Sequence, residues 1–260
     1  VVLDVSSAND AAAAVLRVGG AIESQHGRLV QAQLPAGGVP DLAASPTVQY
    51  VREPLLSAVA GVESEALAKI GAPGWHAAGY EGDGVKVAVL DRGFAGHEAL
   101  LGSELPAIVQ TRSFRADGDL AAGEPHGTAM AEVVHDVAPA ADVLLANFDT
   151  EVEFANAVDY VVAQGVSVVV CGVNWFNAGP GDGTGFVGGV VQGAAAAGVT
   201  WVNSVGDVAQ RHWGGTFVDS RGKGWNNFTP QSPPELAYEL NGLGAIPGQR
   251  VLAFLSWVDW

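Results

Sequence analysis

The sequence is poor in charge, in cations and in sulfur. Only 15% of its 260 residues are charged, and 12 Lys and Arg stand against 28 Asp and Glu, a formal net charge of −16. A chain this acidic repels phosphate backbones, which argues against nucleic acid as a partner. There is one cysteine, Cys171, so no internal disulfide can form. Its neighbours in "VSVVVCGV" are apolar, the setting of a buried thiol rather than a nucleophile. Scarcity of cysteine does not exclude secretion, because a chain of this length builds a core without staples. No apolar run reaches the roughly 18–20 residues of a membrane helix, so no membrane partner is expected. There is no signal-peptide pattern, and the chain starts at Val1 rather than Met. It therefore reads as a processed or trimmed product, secreted or extracellular, with a cytoplasmic location left open. HExxH, paired CxxC and EF-hand patterns are all missing, so no zinc site is written locally and no cofactor is required. Scattered Asp residues and backbone oxygens leave room for calcium, but nothing local specifies a site.

What is present is a large apolar fraction, 48%, and 35 glycines, which together describe a packed domain with many tight turns. Residues 1–55 read as a small α+β domain. "VVLDVS" is a strand, and "SANDAAAAVLRVGG" is a helix capped by Ser7 or Asn9 and stopped at Gly19-Gly20. "AIESQHGRLVQAQLP" is a hairpin turning at His26-Gly27, followed by a helix over Asp41–Ala44 and a strand over Val48–Val51. The order β-α-β-β-α-β is the ferredoxin-like pattern. Residues 56–80 form a linker with a helical segment.

Over 81–210 the regime changes to apolar strands of four to eight residues alternating with helices, from "VKVAVL" to "VTWVNSV". Strands this uniformly apolar are buried on both faces, which predicts a parallel α/β sheet with right-handed crossovers. Residues 211–260 are loop-rich and aromatic and close on the apolar strand "QRVLAFLSWVDW", as expected at the start of a β-rich insert.

In parallel sheets, functional groups collect at the carboxyl ends of strands. Asp91 ends "VKVAVLDRG", His126 opens the helix "HGTAMAEVVHDV", and Asp207 follows "VTWVNSVG". Taken singly, Asp91 and Asp207 are turn residues beside glycine. His126 is an unusual way to begin a helix. Taken together, a carboxylate that orients an imidazole is the supporting half of a nucleophilic triad. The small residues Gly127, Ala129 and Ala131 then offer clearance for a partner helix.

"GVKVAVLDRGF" and "HGTAMAEVVHDVAPAADVLLANF", separated by a crossover (126 − 91 = 35), resemble the Asp and His segments of the subtilisin-like serine proteases (subtilases, peptidase family S8). "VSVVVCGVNW" is similar to their substrate-binding strand, and "VTWVNSVGD" to the strand leading to the oxyanion-hole residue. The resemblance implies an incomplete α/β subtilisin-like core preceded by a ferredoxin-like propeptide-type domain. It implies that Asp91 orients the ring, that His126 is the general base, and that Asp207 holds the oxyanion position. It implies that Gly172, Val173 and Asn174 form the edge on which a peptide or protein substrate is bound as an added strand. The partners implied are that substrate and the intramolecular propeptide-like domain, with residues 50–56 beside Gly172–Asn174.

The sequence departs from the family at three places. No Gly-Thr-Ser-(Ala/Met) block occurs, an ionised Asp207 offers only acceptors where a donor is usual, and Gly-Val-Asn stands where Ser-Leu-Gly is usual. The expectation is a serine endopeptidase hydrolysing peptide bonds by an Asp-His-Ser triad, of which this chain supplies Asp and His and is inactive alone. On that account the serine follows residue 260, beyond the insert. The alternative is a non-catalytic pseudoprotease that binds peptides or partners. A third class, an α/β ligand-binding domain, rests on the glycine-rich "GPGDGTGFVGG" opening a helix.

Overall fold

A computed structural model of the chain describes residues 1–5, 8–55, 58–59, 67–206, 212–229 and 239. The chain divides into two compact units, Val1–Gly206 and Asp207–Leu255.

The first unit opens with β1 (Val2–Val5), α1 (Ala8–Arg17), β2 (Ala21–His26), β3 (Leu29–Gln33), α2 (Val39–Ala43) and β4 (Val48–Arg52). The strands form one antiparallel sheet in the order β2-β3-β1-β4, the ferredoxin-like arrangement. β1 is apolar at nearly every position because both of its faces are covered. Leu3 and Val5 pack with Ala14, Val15 and Leu42 on the helical side, while Val2 joins Leu29 on the other. The hairpin turns at Gly27-Arg28 rather than at His26-Gly27. Gly27 takes the positive φ of 52° that the turn needs, and His26 stays on the strand.

Next come β5 (Ala58–Val59) and the helices α3 (Leu67–Ile70) and α4 (Ala72–Ala77). The alternating region contains β6 (Lys86–Asp91), β7 (Gln110–Ser113), α5 (His126–Val137), β8 (Asp142–Asn147), α6 (Glu151–Ala163), β9 (Val168–Cys171), β10 (Val173–Asn174), α7 (Gly185–Ala196) and β11 (Thr200–Asn203). Five of these strands form a parallel sheet in the order β11-β9-β6-β8-β7. The fold is therefore mixed α/β, a parallel sheet with an antiparallel one before it. Apolar side chains alternate between two buried layers. Ala88, Leu90, Leu144 and Ala146 pack with Phe154 and Val158 of α6, and Val89, Val143 and Leu145 pack with Ala131 of α5. Each fully buried Leu or Val contributes roughly 1.5–3 kcal/mol relative to exposure. β7 carries no apolar signature because Gln110, Thr111 and Arg112 are exposed at the sheet edge.

α6 begins with a capping box: the Thr150 hydroxyl and the Glu153 carboxylate satisfy each other's backbone N–H groups. α7 begins behind a self-contained turn in which Asp182 Oδ1 accepts from the Thr184 amide at 2.9 Å and hydroxyl at 2.6 Å. The acidic group at this helix start is thus engaged by its own turn, which removes the support for an anion-binding glycine loop.

In the second unit, Asp219 organises a turn by accepting from the amides of Arg221, Lys223 and Gly224 at 3.2, 3.0 and 2.7 Å. Trp213 packs edge-on against Phe228 and donates to its carbonyl at 3.1 Å. Residues 212–229 contain no strand, and the apolar segment 249–260 lies outside the described residues. Among the described residues no helix is long and apolar enough to cross a membrane.

Candidate active site

The parallel sheet brings Asp91 to the carboxyl end of its central strand, where its side chain is fully buried. Asp91 Oδ1 accepts from the Arg92 amide at 2.7 Å, and Oδ2 accepts from His126 Nδ1 at 2.7 Å. A carboxylate only accepts, so Nδ1 carries the proton and Nε2 is left as the basic nitrogen. The Arg92 guanidinium is engaged elsewhere, by Asp149 at 3.2 Å, and Asp149 also pairs with Arg115. The Asp91 carboxylate is therefore held by the backbone and by the imidazole.

Three glycines make this contact sterically feasible. The Gly127 amide donates to Gly93 O at 3.1 Å. A Cβ on Gly127 would stand 2.6 Å from that oxygen and 2.7 Å from Asp91 Cβ. The glycine after His126 thus lets the start of α5 press onto the end of β6. The clearance expected for a partner helix is used by a strand, and Ala131 fills the core beneath it. Gly93 lies against Ala122 O in the loop that leads to α5. On the opposite side Gly172 faces the pair directly: a Cβ there would collide with Met130 Sδ and Asp91 Oδ2 and reach within 2.9 Å of His126 Cε1. The imidazole itself is nine-tenths buried, with 9% of its side chain exposed.

Gly172 links β9 to β10, and its amide donates to Leu90 O at 3.1 Å. Beyond it, Val173 and Asn174 leave the parallel sheet and pair antiparallel with Val59 and Ala58. The chain thus lays its own segment on this edge as an added strand. The register differs from the expectation of residues 50–56. Val51 and Arg52 are committed to β1, and the Leu55 amide donates to Glu151 at 2.8 Å, so the chain reaches the edge only at Ala58.

Two residues passed over in the sequence brace this edge. Asn203 Nδ2 donates to Val173 O at 3.2 Å and to Ser204 O at 2.7 Å. Ser204 Oγ accepts from Asn174 Nδ2 at 3.1 Å. The available signal was an Asn-Ser pair at the end of an apolar strand. Met130 was missed because it reads as core. Asp207 lies outside the described residues. Cys171 is buried, and burial, helped by the Asp91 charge, pushes its thiol up to about 12, so it stays protonated and inert.

The structure thus presents a carboxylate–imidazole pair at the carboxyl end of the central strand of a mixed α/β fold. No protein-family model matches the chain, and no curated protein matches it in sequence. Among solved structures it is similar to a mutant of EpiP, the epidermin leader peptide processing serine protease of Staphylococcus aureus. That match has a TM-score of 0.56 and 10% identity over 78% of this chain and 59% of the other. A second structure of EpiP matches with a TM-score of 0.48 and 10% identity over 78% and 58%. The chain thus spans less than two thirds of the length of the structures it matches, and at this identity the likeness is one of fold.

Proposed function

We propose that this chain carries the Asp-His half of a serine endopeptidase of the subtilase type, with Asp91 as the orienting carboxylate and His126 as the general base. The observation that carries the reading is the 2.7 Å contact between His126 Nδ1 and the fully buried Asp91, at the carboxyl end of the central parallel strand. An imidazole held in this tautomer can take a proton from a serine hydroxyl and return it to the leaving amine. The substrate would lie as an extended strand on Gly172, Val173 and Asn174, where Ala58–Val59 now pairs. Residues 1–55 would then act as an intramolecular propeptide, and the protein would act outside the cell. The fold likeness to a leader-peptide-processing serine protease supports a peptide substrate.

The second reading, a pseudoprotease that binds without cleaving, is favoured by one observation: the Val173–Asn174 edge is already paired with Ala58–Val59 of the same chain. A fluorophosphonate probe separates the two. On the peptidase reading the full-length protein is labelled on a serine, and the His126→Ala variant is not. Absence of labelling in a folded full-length protein would leave the binding reading.

A further inference from the structure

We propose that Asn147 is a positioning residue for His126: its side-chain amide fastens the loop that delivers the imidazole to Asp91. Its effect on turnover rests on the peptidase reading above.

Asn147 ends β8 and is fully buried. It stands in register with Asp91 of β6 on one side and with Ser113 of β7 on the other. Register partners in parallel strands send their side chains to the same face of the sheet. Val89, Val143 and Leu145 mark that face as the one packed on α5. At its strand end Asp91 is thus flanked by Gly172 toward β9 and by Asn147 toward β8.

Both Nδ2 bonds of Asn147 go to one loop. Nδ2 donates to Asp119 O at 2.9 Å and to Leu120 O at 3.2 Å. Leu120 O also accepts from the Phe94 amide at 3.0 Å, so the loop is tied to the segment after β6 as well. α5 itself is fastened further along. The Gly127 amide donates to Gly93 O at 3.1 Å, and the Thr128 hydroxyl donates to Ala95 O at 3.0 Å. Neither bond holds the chain that enters His126. That chain passes through Gly123, at a φ of 90°, and through Pro125, which offers no side-chain cap. A pivot of this kind places the ring only if its far end is held, and Asn147 with the Phe94 amide holds it.

The chemistry of the position selects an amide. The loop presents two carbonyls, which need donors. Asp91 lies alongside, so a cation here would compete with His126 for it, and an acid would add like charge and no donor. Asn147 Oδ1 and the Ser113 hydroxyl are buried and find no partner among the described residues. Burying them is unfavourable, so stability alone does not account for an amide at this place.

The experiment follows the His126 Nδ1 proton by NMR in the isotope-labelled chain. Asn147→Leu removes both donors at similar volume. The expected result is exchange of that proton with water about tenfold faster, with the unfolding midpoint little moved. Leu144→Ala is the control: it opens a cavity on the same strand but on the opposite face, against α6, and leaves the proton unchanged. An unchanged proton in folded Asn147→Leu overturns the inference, and so does an equal change in Leu144→Ala. Where Asn147→Leu does not fold, Asn147→Ser, too short to reach either carbonyl, is measured in its place. Failure of both to fold makes Asn147 a structural residue and overturns the inference as well. On the peptidase reading, Asn147→Leu in the full-length protein lowers kcat for a peptide about tenfold and leaves KM unchanged, because Gly172, Val173 and Asn174 lie on the other side of β6. A raised KM with kcat unchanged overturns the positioning role. If the unaltered full-length protein hydrolyses no peptide, the peptidase reading fails, and the proton alone decides the role of Asn147.

Discussion

His126 begins a helix behind a proline that offers no side-chain cap, and its Nδ1 is spent on Asp91. That makes the ring a tool of the strand end rather than a cap of the helix. Asp91→Asn keeps the shape but replaces an acceptor-only group with one that can donate, so the ring is no longer held in one tautomer. On the peptidase reading, turnover of a peptide substrate falls on the order of 10⁴-fold, while the unfolding midpoint moves little. Gly172 is the converse case, a residue whose importance is the absence of a side chain. Gly172→Ala drives a methyl group into Met130 and Asp91. The expected cost is about 1–3 kcal/mol in urea unfolding, the usual range for overpacking, with loss of His126 geometry. Asp91 and His126 were legible because their types and positions at strand and helix ends carry chemistry. Gly172 was legible only as part of a segment, since contact with Asp91 and His126 across the sheet leaves no local mark.

At the scale of elements, α6 shows how one helix start serves two purposes. Its capping box is readable as Thr150 followed by Glu153. Its role as a dock is not. Glu151 is fully buried there, paired with Arg52 from the end of β4 and accepting from the Leu55 amide. Arg52→Ala leaves that carboxylate without its cation. The expected destabilisation is about 3 kcal/mol, toward the low end for removing one member of a buried pair because Arg52 keeps some solvent contact. Chemical denaturation of the variant against the unaltered chain measures it. β7 escaped the sequence reading because an exposed edge strand needs no apolar pattern. β5 escaped it because two residues are too few to show a period, and their strand character comes from β10.

At the scale of the first unit, the N-terminal sheet lies on α6 through polar contacts around a small apolar patch. Ser24 Oγ accepts from Asn156 Nδ2 at 2.9 Å, and His26 Nδ1 meets Asn156 Oδ1 at 3.2 Å and Asp159 at 3.4 Å. Buried Gln31 meets both Thr150 and Glu153, while Val2, Leu29 and Val152 supply the apolar contact. This layer makes stability depend on pH. Burial raises the Glu153 carboxyl above its ordinary 4.5, only partly offset by the amides of Asp149 and Thr150. The folded state therefore holds this proton more tightly than the unfolded chain. Below the ordinary value both states are protonated and the group costs nothing. As pH rises the unfolded chain ionises first, so stability declines until the raised folded value is passed. Urea midpoints of the unaltered chain should thus fall, relative to Glu153→Gln, as pH is raised through the region just above 4.5.

By itself the sequence determined the β-α-β-β-α-β opening, the parallel α/β core and the candidacy of Asp91 and His126. These rest on local physics: period, turn chemistry, and residue types at strand ends. Tertiary structure alone decided that Gly127 serves a strand, that Ala58–Val59 lies on the Val173–Asn174 edge, and that Glu151 is buried against Arg52. Each of these joins residues dozens of positions apart, and close approach of that kind is set by how whole layers pack. A single chain carries no local trace of it.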